Sequence, residues 1–307
     1  MDNGRGPKGG SAKKPPLTHF LCLPLVTETS RPQLEQSLKQ FRDAVSPTPQ
    51  DATKETQGEA PSEAQVATMA YIHPKAIRPV GALHCTLGVM SLKQEQLEAA
   101  TTCLKTLDLT AILQVQGQGT PGTAAAPDTG HPSLQRPISP SPIKPLKIDL
   151  KGLDSMHSPD KTSILYAVPI DHSDRLYPFC LAVQKMFKEK GFLLDDDRKL
   201  KLHATIVNTI YAKGRKHRTR ACRAAIPQAS TCAGSTEQGH GTSVDAPLKI
   251  DARSLLELHV DFVWAEHVVL DRVAICEMGA KKSLDASGNE VDERYIEVAS
   301  VPLPTCD

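Results

Sequence analysis

Leu83-His84-Cys85-Thr86-Leu87 and Leu202-His203-Ala204-Thr205-Ile206 are two copies of one pattern: leucine, histidine, a small apolar residue, threonine, an aliphatic residue. A β-strand turns successive side chains to opposite faces, so His84 and Thr86 share one face, and so do His203 and Thr205. Cys85 and Ala204 then point the other way, into the packing beneath a sheet. If the two strands face each other across a cleft, two imidazoles and two hydroxyls converge on one volume. Both rings then reach a single phosphate-sized space, with their nitrogens roughly 5–8 Å apart.

Context gives the pattern its weight. Among the 11 histidines, five have Ser or Thr two positions later: His84, His131, His203, His217 and His240. His131 precedes a proline, His217 lies in a charged run and His240 is bracketed by glycines. Only His84 and His203 sit in apolar runs with aliphatic residues on both sides. Either one alone reads most simply as a filler of a half-polar strand position; the matched pair does not.

Outward from these motifs, residues 17–26 (LTHFLCLPLV) have the length of a buried strand. Ser30 and Gln33 form a capping box for a helix with Leu34, Leu38, Phe41 and Val45 as its buried stripe. Ser91 and Gln94 repeat that box before Leu97, Ala100, Leu104 and Leu107. LKIDLKGL (146–153) and SILYAVPI (163–170) read as strands. Ser173 opens a helix carrying Leu176, Cys180, Val183 and Phe187, and Gly191 stands at its C′ position. KLKLHATIVNTIYA (199–212) is a third clear strand, and a short helix starts at Asp251. HVVLDRVAICEM (267–278) and RYIEVASV (294–301) close the chain around a turn at DASGNE. This order predicts an α/β or α+β fold with one composite core over 17–301. Residues 1–16 read as a disordered basic tail, and 46–70, 116–145 and 213–247 as disordered insertions, because their compositions cannot bury enough apolar surface.

With 36 basic and 35 acidic side chains, the net charge of +1 removes bulk electrostatic attraction to nucleic acid or membrane. A local patch, KGRKHRTRACR (213–223), reads as a nuclear localisation signal, an RNA-backbone contact or a solvated loop. No run of about 18 apolar residues is present to span a bilayer, and the first 16 residues lack the apolar stretch of a secretory signal. The eight cysteines contain no C-x-x-C, which argues against a zinc ribbon or thioredoxin-type motif. Cys22, Cys180 and Cys276 lie in apolar runs and read as core thiols, suiting the nucleus or cytoplasm.

The paired motif has the groups that phosphodiester cleavage requires. One imidazole removes a proton from an attacking water and the other protonates the departing alkoxide; an ordinary histidine pKa of about 6.5 suits both. Thr86 and Thr205 hydroxyls can donate to non-bridging phosphate oxygens as charge develops. This scheme needs no metal or cofactor. Lys201, just before His203, can attract a phosphate, and Tyr211 can stack a base. Trp264 could stack likewise, although core packing is its simpler role.

The duplicated H-x-T-aliphatic pattern resembles the two-histidine (2H) phosphoesterase superfamily, which includes the bacterial RNA 2′,5′-ligase-like enzymes. More narrowly, THFLCLPL, ALHCTLGVM and LKLHATIVNT are similar to the phosphoesterase domain of a kinase A anchoring protein. The stretch from DARSLLELHVDFVWAEHVVL to AICEMGAKK is similar to the matching domain of activating signal cointegrator complex subunit 1. The resemblance implies a bilobal fold of two pseudo-symmetric strand-helix lobes around a cleft. It also implies hydrolysis of 2′,3′-cyclic or 2′,5′-linked phosphodiesters in RNA or nucleotides, with His84, Thr86, His203 and Thr205 as catalytic groups. The alternative is a catalytically silent nucleotide- or RNA-binding subunit of a larger complex. Neither kinase anchoring nor cointegrator assembly follows, since the segments that serve them elsewhere have no counterpart in this reading.

Overall fold

The computed structural model describes residues 15–46, 71–117, 144–195, 198–212, 248–284, 287–288 and 290–305. Almost all of the tail and of the three insertions lies outside them.

The centre of the architecture is one cross-strand pair. Strand β1 (His19–Pro24) lies antiparallel to β2 (His84–Met90), with Leu23 opposite Cys85. Strand β4 (Ile164–Ile170) lies antiparallel to β5 (Ala204–Asn208), with Ala167 opposite Ala204. The two pairs meet where Cys85 opposes Ala204. Leu23, Cys85, Ala204 and Ala167 thus form one row across four strands, all buried in a single hydrophobic core. Outside this quartet lie β3 (Lys147–Ser155), β6 (Val263–Val269), β7 (Arg272–Glu277) and β10 (Glu297–Pro302). The sheet runs β10-β7-β1-β2-β5-β4-β3-β6, so each half contributes four strands on its own side of the Cys85–Ala204 contact. A separate hairpin joins β8 (Lys281–Leu284) to β9 (Glu290–Arg294). The fold is mixed α/β on an antiparallel sheet, as the sequence predicts.

Helices cover the Cys85 face. The stripe Leu34, Leu38, Phe41 and Val45 of α1 (Arg31–Val45) is fully buried. Helix α2 (Gln94–Thr106) buries Ala100, Cys103 and Leu104, and α3 (Leu109–Gly117) follows it directly. Helix α4 (Leu176–Glu189) buries Leu176, Cys180, Val183 and Phe187. It ends as Gly191 foretells: the Gly191 N–H donates to the Lys188 carbonyl and the Phe192 N–H to that of Phe187, with Gly191 at φ +71°. Helix α5 (Arg253–Leu258) is the short one expected after Asp251.

Several local expectations are corrected. Ser30 does not cap α1; its hydroxyl donates to the Leu25 carbonyl at 2.7 Å, and Gln33 instead brackets the Glu266 backbone on β6. The second helix is capped from Lys93, whose N–H donates to Gln96 Oε1, and not from Ser91. Helix α4 starts at Leu176 because Asp171, not Ser173, accepts from its leading N–H groups. The strand expected over 199–212 is only Ala204–Asn208, followed by a 3-10 turn at Thr209–Ala212. The strand expected over 267–278 is two strands, broken at Leu270 and Asp271.

Gly152 offers a test of this packing. Its φ is +65°, and a Cβ there would sit 2.8 Å from the Val260 carbonyl oxygen. Gly191 has a similar φ but open space around it. Gly191→Ala is expected to cost about 1–2 kcal/mol for the left-handed backbone alone, and Gly152→Ala distinctly more. Urea denaturation checks this; equal losses would show that strand β3 yields to the methyl group.

Candidate active site

Extending the Cys85–Ala204 register by one residue each way puts His84 opposite Thr205 and Thr86 opposite His203. All four side chains project from the face opposite the helices. The two histidines are therefore diagonal neighbours, which in a regular ladder lie about 7–8 Å apart with their Cβ atoms somewhat closer. The pairing of β2 with β5 is confined to this point, so the strands splay on either side of it. His84 borders one cavity of about 410 Å³, shared with Phe20, Arg31, Arg272, Arg294 and Tyr295. Thr86 and His203 border a second of about 420 Å³, shared with Gln184, Lys199 and Lys201.

The two rings are held alike. His84 Nδ1 lies 2.9 Å from the Ala82 carbonyl oxygen, and His203 Nδ1 lies 2.7 Å from that of Lys201. A carbonyl only accepts, so each Nδ1 carries the hydrogen and each Nε2 keeps its lone pair for the cleft. The hydroxyls of Thr86 and Thr205 have no hydrogen-bond partner among the described residues, and both side chains are half-buried. They are free to donate to a ligand.

The surroundings of the rings differ. Phe20 packs against His84 with centroids 4.7 Å apart, and Tyr295 meets it edge-on at 5.1 Å. Loss of solvent pushes the His84 pKa down to about 4, and the nearby Arg78 charge acts in the same direction. His203 contacts the Tyr166 ring at 5.3 Å. Its pKa is also lowered, first by desolvation and then by Lys201. Tyr166 is itself buried and donates its hydroxyl to Asp154. These partners, Phe20, Tyr295, Tyr166 and Asp154, escape sequence reasoning because each lies far along the chain from its histidine.

Lys201 is exposed on the cleft rim, its Nζ 4.6 Å from the Tyr166 centroid and 4.0 Å from Asp154. Its backbone rather than its ammonium makes the contact to His203. One face of Tyr211 is covered by the Arg78 guanidinium at 4.0 Å, which leaves a base only the other face. Trp264 is a core residue, 1% exposed, with its indole N–H donating to the Gly152 carbonyl. Among the described residues, no group of three or more His, Cys, Asp or Glu side chains is placed to hold a metal ion. No helix of the described residues is long and apolar enough to cross a membrane.

Residues 17–287 match the family described as the AKAP7 2′5′ RNA ligase-like domain. The chain belongs to that family. AKAP7 2′5′ RNA ligase-like membership places it in the two-histidine phosphoesterase superfamily. An uncharacterized protein of Schizosaccharomyces pombe is 27% identical over 162 residues, 52% of this chain and 59% of that protein. The chain thus spans about 59% of the length of that relative. Among solved structures, Escherichia coli LigT complexed with 3′-AMP aligns over 94% of this chain and 99% of its own, at 10% identity and a TM-score of 0.40. TT0787 of Thermus thermophilus aligns over 93% and 97%, also at 10% identity and a TM-score of 0.40.

Proposed function

We propose that this chain is a phosphodiesterase that hydrolyses 2′,3′-cyclic or 2′,5′-linked phosphodiesters of RNA or nucleotides. The register that sets His84 against Thr205 and Thr86 against His203 carries the reading, because it brings two Nε2 lone pairs and two free hydroxyls onto one face. His84, the more strongly desolvated ring, is neutral at physiological pH and acts as the base on water. Water oxygen attacks phosphorus as His84 Nε2 takes its proton; the bond to the leaving oxygen breaks as protonated His203 supplies a proton through Nε2. Thr86 and Thr205 donate to the non-bridging oxygens. Lys201 adds positive charge at the rim. The five described cysteines are buried free thiols, which fits a nuclear or cytoplasmic protein.

A panel of 2′,3′-cyclic nucleotides, 2′,5′-oligoadenylate and 3′-tailed RNA, assayed in EDTA, tests the proposal. Turnover of at least one is expected. Binding across the panel without turnover would replace the enzyme with a nucleotide-binding module. The threonines give a finer test. Thr86→Val or Thr205→Val removes a hydroxyl at nearly constant volume, and turnover should fall about tenfold to a hundredfold, or about 1.4–2.7 kcal/mol. Unchanged kinetics with a lowered Tm would mark the hydroxyls as structural.

A further inference from the structure

Arg78 is 5% exposed, and its guanidinium has no carboxylate partner among the described residues. Two arginines that border the His84 cavity are paired: Arg31 with Glu35 and Asp292, and Arg272 with Asp271 and Glu297. A buried cation left without a counter-ion is strongly disfavoured unless something else compensates it. The contacts Arg78 does make are aromatic. Its guanidinium lies over the Tyr211 ring at 4.0 Å, and Nη2 donates to the Tyr295 hydroxyl at 3.4 Å. Tyr295 cannot neutralise it, since burial pushes that phenol up to about 12.

The position of Arg78 is set by the backbone. Beyond the Cys85–Ala204 contact, β2 leaves the edge of β5, and residues 77–78 take its place: Ile77 bridges to Val207, and the Arg78 N–H donates to the Ile206 carbonyl at 2.8 Å. This sets Arg78 against β5, the strand that begins directly after His203 and carries Thr205 near its start. Tyr295, which holds the guanidinium, also meets His84 edge-on.

We infer that Arg78 is an anion-binding residue of the cleft, its guanidinium taking a non-bridging oxygen of the phosphate that His84 and His203 address. Tyr211 and Tyr295 hold the fork in place before the phosphate arrives. The inference rests on the phosphodiesterase reading for the identity of the anion; the uncompensated charge stands independently of it. The developing negative charge on phosphorus then meets a fixed, desolvated cation, where a charge-assisted hydrogen bond is strongest.

The test uses the full chain with inorganic phosphate as probe and chloride at matched ionic strength as control. Phosphate should raise the wild-type Tm in a saturable way. Arg78→Met relieves the unpaired charge, so without phosphate its Tm should equal or exceed that of the wild type, while phosphate affinity falls about 10- to 100-fold. Arg78→Gln, which keeps a donor toward Tyr295, should lose affinity similarly. Wild-type phosphate affinity in these variants would overturn the inference, as would failure of both to fold or failure of phosphate to stabilise the wild type. Unaltered binding in the variants alongside normal catalysis would remove Arg78 and leave the phosphodiesterase reading intact. Arg78-dependent binding in a chain that turns over no phosphodiester would do the reverse.

Discussion

Alanine at either His84 or His203 is expected to slow turnover by about 10²–10⁴ with the fold intact. His84 and His203 are each half-buried, and each ring makes one hydrogen bond to a local carbonyl, so truncation leaves no large cavity in the core. The double variant should be little slower than the slower single one. Two groups that move protons in one step act as a unit, and once one is gone the other has little left to contribute. Circular dichroism and Tm, measured beside the rates, separate a chemical loss from a folding loss. Near-normal turnover in either single variant would end the two-histidine mechanism.

The central strands were legible because their chemistry and their periodicity coincide. Cys85 and Ala204 alternate with polar neighbours in apolar runs, and that alternation alone dictates which face is buried. Helix stripes such as Leu34, Leu38, Phe41 and Val45 were legible for the same reason. What failed was local detail settled by a competing partner. Ser30 Oγ could accept from a helix N-terminal N–H, but it accepts from the Thr27 N–H at 2.9 Å while its hydrogen goes to the buried Leu25 carbonyl. Strand β6 was hidden because His267 takes a left-handed φ of +55° while its N–H donates to Asp149, which breaks the period-two pattern just where it would be read. Helix α3 carried one overlooked signal, Asp108, whose carboxylate accepts from the Ala111 N–H.

At the site, the four motif residues were legible and their partners were not. Tyr166 stood in a strand recognised as such, yet only the pairing of β4 with β5 sets it beside His203. Tyr295 reaches His84 through a chain reversal that no spacing encodes. Arg78 left the one usable trace, a single cation in the apolar run Ala76-Ile77-Arg78-Pro79-Val80 leading into β2. A charge in such a place needs either a partner or a ligand.

The leaving group should decide which histidine is acid and which is base. With His84 as base at a pKa of about 4, and His203 as acid at a value below its ordinary 6.5, activity requires neutral His84 and protonated His203. Activity should then rise as pH climbs through about 4 and fall once pH exceeds the His203 value. Raising pH removes the proton the acid must donate, so each further unit costs about tenfold, and two units about a hundredfold. Exchanging the roles gives the same two limbs, because the profile reports the pair and not its members. A p-nitrophenyl phosphodiester breaks that symmetry, since its leaving phenolate needs no proton. On this substrate the alkaline limb should flatten, and His203→Ala should regain most of its loss of about 10²–10⁴, while His84→Ala stays slow because the water still needs its base. Rescue of His84→Ala instead would exchange the two roles. Equal slowness in both variants on both substrates would place the loss in binding of the phosphate and not in proton transfer.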